Sequence, residues 1–265
     1  NDDLNDGSDN SPFKTITKAL ASVAGSENVP VTINLAEGTY SPSNNGETYP
    51  IDMISHINLI GQGENVSILD AEQTDRVITI ERSKGNTISE LTITGGYHLY
   101  ESGGILIDNS NPVLTYLTII ANYAQWFAGG IYLIDSNPIL RHITISENET
   151  KSYGGGMCLS NSDPILNHVE INDNIASEGW GGGIFANSSN IYFDYVVINN
   201  NSACYDGAGI NLNYSSPYIN QVTIGGNTAG NFGGGMFLYY SNPTLTNVTI
   251  ANNTANSTGG GMYLV

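Results

Sequence analysis

Basic residues are scarce in this chain: 7 Lys and Arg stand against 25 Asp and Glu among 265 residues, a formal charge of -18 at pH 7. Such a surface repels phosphate backbones and anionic head groups, which excludes nucleic acid and acidic membranes as partners and favours cations and neutral polymers. The charge also has a plain structural use, since a long Gly- and Asn-rich chain needs it to stay soluble. Long apolar runs are missing too: nothing approaches the ~20 residues that cross a bilayer, so no membrane insertion is expected. Cysteine is nearly absent. Cys158 and Cys204 occupy different places in the chain's internal repeat, which argues against a disulfide between stacked neighbours. Strong helix composition is lacking as well, because 31 Gly and abundant Asn, Ser and Thr are turn and strand material. A mostly β fold is expected.

The repeat is what the chain has in abundance. Gly-Gly-Ile or Gly-Gly-Met, once Ala-Gly-Ile, puts an apolar residue at Ile105, Ile131, Met157, Ile184, Ile210, Met236 and Met262, in steps of 26, 26, 27, 26, 26 and 26. Two positions later comes Ile107, Leu133, Leu159, Ala186, Leu212, Leu238 or Leu264, the period-2 mark of a short strand with one buried face. A turn comes next, at Ser110, Ser136, Ser162, Ser189, Ser215 and Ser241, often continued by Asn-Pro or Asp-Pro. A second strand then carries apolar pairs such as Leu117 and Ile119, Ile143 and Ile145, Val169 and Ile171, and Val196 and Ile198. Three residues beyond stands an asparagine, Asn122, Asn148, Asn174, Asn201, Asn227 or Asn253, and coils stacked at about 4.8 Å would align these amides in a hydrogen-bonded column.

The stretch Leu166-x-x-Val169-x-Ile171-x-x-Asn174 also fits the leucine-rich-repeat line. The other half of the turn decides against it, because Gly233-Gly234-Gly235 and its copies would each cost about 1 kcal/mol in the helix that such a repeat needs. The fold expected is an all-β, right-handed parallel β-helix, a solenoid of about 26 residues per coil with two strands and a third in each. Ser11 to Leu20 reads as a short capping helix entered through Pro12, with Phe13, Ile16 and Leu20 plugging the barrel end. Residues 1–30 are thus a lead-in and cap, and 31–265 one β-helix domain with an excursion at 41–48. The chain begins at Asn1 without a signal sequence and stops inside a strand motif, so it is expected to be a processed or excised piece with more chain or a cap after Val265.

The opening Asp6-Gly7-Ser8, Pro12-Phe13-Lys14-Thr15-Ile16 and Leu35-Ala36-Glu37-Gly38-Thr39-Tyr40 resembles the start of secreted bacterial β-helix proteins of the pectin-lyase-like superfamily. The later coils, such as Ile224-Gly225-Gly226-Asn227-Thr228-Ala229 through Gly233-Gly234-Gly235-Met236, are similar to the repeats of polymorphic outer-membrane autotransporter adhesins. These resemblances imply a bacterial extracellular or cell-surface setting. They do not fix an activity, because the superfamily includes lyases, hydrolases, adhesins and phage spikes. The lyases' arginine or lysine with calcium-binding aspartates is not matched, since beyond residue 85 only Arg141 and Lys151 are basic, and the hydrolases' Gly-His-Gly segment is missing.

Three groups are candidates for chemistry. The residues between the buried positions of the first strand, Leu106, Tyr132, Cys158, Phe185, Asn211, Phe237 and Tyr263, are expected to face outward. Ahead of the glycines stand Phe127, Tyr153, Trp180 and Phe232, with Tyr205 one place earlier in its coil; together the two rows form a platform for a glycan or a partner protein. The structural alternative is that the Gly-rich loops fold over and the rows bury each other. On the second strand, His142 and His168 are expected as stacked neighbours with Glu170 on the same face and Arg141 beside them, a candidate metal or proton-transfer site whose plain reading is a solvated surface. Asp2, Asp3, Asn5, Asp6 and Asp9 could hold calcium through oxygen ligands, although their spacing does not match the twelve-residue calcium loop, and no other cofactor is expected.

Regularity favours a non-catalytic extracellular module, adhesin-like or a rigid spacer, because enzymes of this shape break their repeat with long cleft-building loops. The alternative is a polysaccharide lyase or glycoside hydrolase acting through His142, His168, Glu170 and Arg141 or through the irregular coils before residue 100. A second alternative is a filament or surface-layer subunit that associates end to end.

Overall fold

The computed structural model describes residues 5–265. All named strand pairings are parallel, and they make three sheets of 12, 9 and 7 strands wound as one solenoid. The coil beginning at Ile131 shows the plan: Ile131–Ile134 lies in the first sheet, Ile139–Ser146 in the second and Glu149–Thr150 in the third. Each pairs with its equivalent one repeat away, as Ile131 with Met157, Ile143 with Val169, and Thr150 with Ala176.

The core is the stack of inward positions. Ile105, Ile131, Met157, Ile184, Ile210 and Met236 are fully buried, as are Leu117, Ile119, Ile145, Ile171, Ile198 and Ile224. A further buried column, Leu114, Leu140, Leu166, Phe193 and Ile219, sits three residues before the second-strand column, not two. Simple alternation fails there because the residue between, Tyr116, His142, His168, Tyr195 or Gln221, is in the left-handed backbone region (φ 51 to 54°) and bends the long strand. None of these occupants is β-branched, which fits a conformation where a second branch at Cβ is most strongly disfavoured.

Two polar ladders run inside the corners. Each asparagine from Asn122 to Asn227 donates Nδ2 to the next asparagine's Oδ1 at 2.9–3.1 Å, and that same oxygen accepts the donor residue's own backbone N–H. The serines repeat the device, with Ser110, Ser136, Ser162, Ser189 and Ser215 each donating the backbone N–H to the next coil's hydroxyl at 3.0–3.1 Å. These columns satisfy turn groups that the stacking removes from water.

At the N-terminal end the helix spans Ile16–Ser22 and buries Ile16, Ala19 and Leu20. It starts later than expected from Pro12: Thr15 is the cap, and Phe13 lies before the first turn. The 41–48 excursion has a task. It delivers Glu47, which is buried and accepts from the backbone N–H of Ile16 (2.5 Å) and Thr17 (3.1 Å).

Candidate binding site

The middle residue of each first-sheet strand points away from the main core, yet Leu106, Tyr132, Cys158 and Asn211 are 6%, 8%, 2% and 1% exposed. The expected open stripe is therefore corrected over these coils, and Tyr132 is not a surface ring. The cause is the Gly-rich corner, which carries Phe127 back over the strand to stack on Tyr132 at 5.1 Å. Leu106, Ala128, Tyr132 and Cys158 become a second small core, flanked by the half-buried Phe127, Tyr153 and Phe185. Burial pushes the Cys158 thiol and the Tyr132 phenol well above their ordinary ionisation ranges. Both cysteines are free thiols.

The second row forms a continuous ring ladder along the axis. Phe127 stacks on Tyr153 (5.6 Å, 17°), Tyr153 on Trp180 (5.2 Å, 12°), and Trp180 on Tyr205 (4.7 Å, 37°). Stacking of this kind uses up ring faces and shows only edges to solvent. A face is free only where the ladder misses a rung.

In the first-strand row, beside that ladder, the ring sequence is interrupted at Asn211. Phe185 stands one coil before it and Phe237 one coil after; Phe237 stacks on Tyr263 at 5.9 Å and 11°, which leaves its opposite face toward Asn211. Tyr153, Trp180, Phe185 and Phe237 wall a groove of about 250 Å³ that Asn211 and Asn213 floor. The floor is hydrogen-bonded in place: Asn213 Nδ2 donates to Asn211 Oδ1 (2.9 Å), and Asn211 Nδ2 donates to the Asp206 carbonyl (3.0 Å). The Asp206 carboxylate accepts from Trp180 Nε1 and the Phe232 backbone N–H, both at 3.1 Å, and so fixes the indole wall. Burial raises the Asp206 pKa, and the two donated hydrogen bonds act against that rise. The remaining predicted ring, Phe232, stacks on Tyr263 (4.6 Å) and lies outside the groove's walls.

The second-strand group is a different kind of feature. Tyr116, His142, His168 and Tyr195 form a four-ring column with centroids 4.8, 5.0 and 4.9 Å apart, each ring on the left-handed corner residue of its coil. His168 Nδ1 lies 2.9 Å from Asn167 Oδ1, and Glu170 Oε2 accepts from Asn172 at 3.4 Å. Arg141, His142, His168 and Glu170 are exposed, and none of them lines the groove. Asp2 and Asp3 lie outside the described residues; Asp6 and Asp9 are exposed, with Asp6 accepting the Ser8 N–H at 3.0 Å. Among the described residues no cluster of three His, Cys, Asp or Glu side chains is placed to hold a metal ion.

Sequence reasoning passed over Asp206, Asn213 and the buried Arg76. The Arg76 guanidinium donates to the Ser102 carbonyl (2.8 Å), pairs with Glu101 (2.7 Å) and lies 3.3 Å from His98 Nδ1. That network staples two irregular coils, and burial with the nearby Arg76 charge lowers the His98 pKa. No repeat marks Asp206 or Arg76, because each occurs once at its place, and Asn213 is matched only by Asn187 one coil before.

The sequence profile of the right-handed β-helix region matches residues 103–265, and the chain belongs to that family. The resemblance to pectin-lyase-like β-helix proteins therefore holds at the level of fold. No curated protein matches the sequence. Solved structures similar to it include pectin methylesterase from Yersinia enterocolitica, 12% identical, with 96% of this chain and 94% of that one covered and a TM-score of 0.47. The A-module of the mannuronan C-5 epimerase AlgE4 from Azotobacter vinelandii is 12% identical, over 94% and 93% of the two chains, with a TM-score of 0.39. A Geobacillus virus E2 protein, ORF18, is 14% identical over 92% of this chain and 57% of its own, with a TM-score of 0.43.

Proposed function

We propose that this chain is a non-catalytic β-helix module that binds a neutral glycan outside a bacterial cell. The observation that carries the reading is the interrupted ring row at Asn211. The groove above the buried Asn211, between the rings of Phe185 and Phe237 two coils or about 9.6 Å apart, suits a flat sugar ring that lies along the aromatic walls and offers hydroxyls to the half-buried Asn213. The strongly negative chain disfavours polyanions, which points to uncharged sugars.

Calorimetric titration with cellohexaose, mannohexaose and xylohexaose tests this. At least one should bind, Phe237→Ala should weaken it about tenfold, or about 1.4 kcal/mol, and Asn211→Phe should abolish it by filling the groove. Failure of all three sugars to bind would end the proposal. Assays for unsaturated products and new reducing ends belong beside it, because turnover lost in His168→Ala would establish an enzyme instead.

A further inference from the structure

Most exposed rings of this protein have ring partners. Tyr97, Tyr116, Tyr192, Tyr195, Tyr205 and Tyr240 are all exposed, and each packs against a neighbouring ring. Among the described residues, Trp126 is the exposed aromatic that has none, at 48% exposure. The reason lies in the corner after the third sheet, where Phe127 pairs with Tyr153 and the Tyr153 N–H donates to the Trp126 carbonyl. This register puts Ser152 at Trp126's position on the next coil and Tyr100 on the preceding one. Ser152 is too small to stack. Tyr100, 66% exposed, meets His98 edge-on at 6.5 Å and leaves the indole alone.

The space left over is a notch of about 230 Å³ lined by Gln125, Trp126, Lys151, Ser152 and Glu178. Its rim is an ion pair, Lys151 Nζ to Glu178 Oε1 at 3.3 Å. The pair adds no net charge but presents a strong donor beside a strong acceptor, with an amide and a hydroxyl next to them.

We propose that the Trp126 notch is a second carbohydrate subsite, for an uncharged hexose ring in a neutral glycan. The indole face takes the sugar's C–H face, and the Lys151–Glu178 pair takes two adjacent hydroxyls, one as acceptor and one as donor. An anionic sugar would set its carboxylate against Glu178 and the chain's overall charge. The notch shares no lining residue with the groove at Asn211, so either site can stand without the other.

The chain has 2 Trp, one at each site, so single-tryptophan variants separate them. In Trp180→Phe all indole emission comes from Trp126, and in Trp126→Phe from Trp180. Titrating both variants with cellohexaose, mannohexaose, xylohexaose and hexagalacturonate should quench and shift Trp126 emission with at least one neutral sugar and not with hexagalacturonate. Adding Lys151→Gln or Glu178→Gln to the Trp180→Phe variant should weaken that response about tenfold. Ser152→Phe should remove it, with circular dichroism confirming that the coil is intact. A sugar that alters Trp180 emission but never Trp126 emission overturns the second subsite while leaving the groove standing, and Trp126 responding alone does the reverse. Silence of Trp126 toward all three neutral sugars, or equal binding of hexagalacturonate, also refutes it.

Discussion

Asn174 shows what a single side chain does in this fold. Its Nδ2 donates to the carbonyls of Ile145 and Asn172 (2.9 Å each) and to Asn201 Oδ1 (3.0 Å), while its Oδ1 accepts from Asn148 N (3.0 Å) and Nδ2 (3.1 Å). Asn174→Ala strands several of these groups where water cannot reach them, and should cost about 2–4 kcal/mol in urea unfolding. Asn253→Ala, on a half-buried rung, should cost clearly less. The asparagine column was legible in the sequence because hydrogen bonding demands the same residue in every coil; the serines repeat as regularly but read only as turn marks, and their ladder shows in the structure. The left-handed corners were not legible, since Glu90, Tyr116, His142, His168, Tyr195 and Gln221 share a backbone conformation and no side-chain chemistry. The stacked histidines were nevertheless found from spacing alone.

At the scale of the element, the sequence correctly paired strands one coil apart but left open whether the outward residues stay exposed or are covered by the Gly-rich corners; over Leu106, Tyr132 and Cys158 they are covered. Period-2 alternation tells which way a side chain points; it says nothing about a corner that folds back over it. The glycines make that return possible. Gly181 turns at φ +66°, and a Cβ on Gly182 would come within 2.3 Å of the Ser202 carbonyl oxygen, a backbone atom with no freedom to yield. Gly182→Ala should therefore destabilise by about 1–3 kcal/mol and weaken the near-ultraviolet dichroism of the Tyr153, Trp180 and Phe185 rings; an unchanged melting temperature would contradict the close approach. Trp126 escaped notice because its meaning lies in the coil stacked against it: a tryptophan is conspicuous, but an empty place beside its ring is visible only once the register is known.

For the molecule as a whole, each coil rests on its neighbours and like residues repeat at short range, so charge accumulates along the axis with little opposite charge to offset it. Self-repulsion at -18 is screened by salt, with a Debye length of about 10 Å at 0.1 M. The thermal midpoint should rise as sodium chloride goes from a few millimolar to about 0.15 M, where the Debye length falls to ~8 Å, and a flat response would mean that the carboxylates are spread widely enough not to interact. The fold's one-dimensional character was the most legible property of all, because it is written in the period itself.

The solenoid also keeps a record of where its length is not metered. The step from Met157 to Ile184 is one residue longer than its neighbours, and the surplus falls between Ala176 and Gly181, where the chain carries Ser177, Glu178, Gly179 and Trp180 in place of a triplet. The sheets on both sides keep their pairing across that extra residue. A foreign peptide inserted between the exposed Ser177 and Glu178 would accordingly be carried as a side loop beside the aromatic ridge, whereas the buried Gly179, whose carbonyl accepts the Tyr205 N–H, has no room for one.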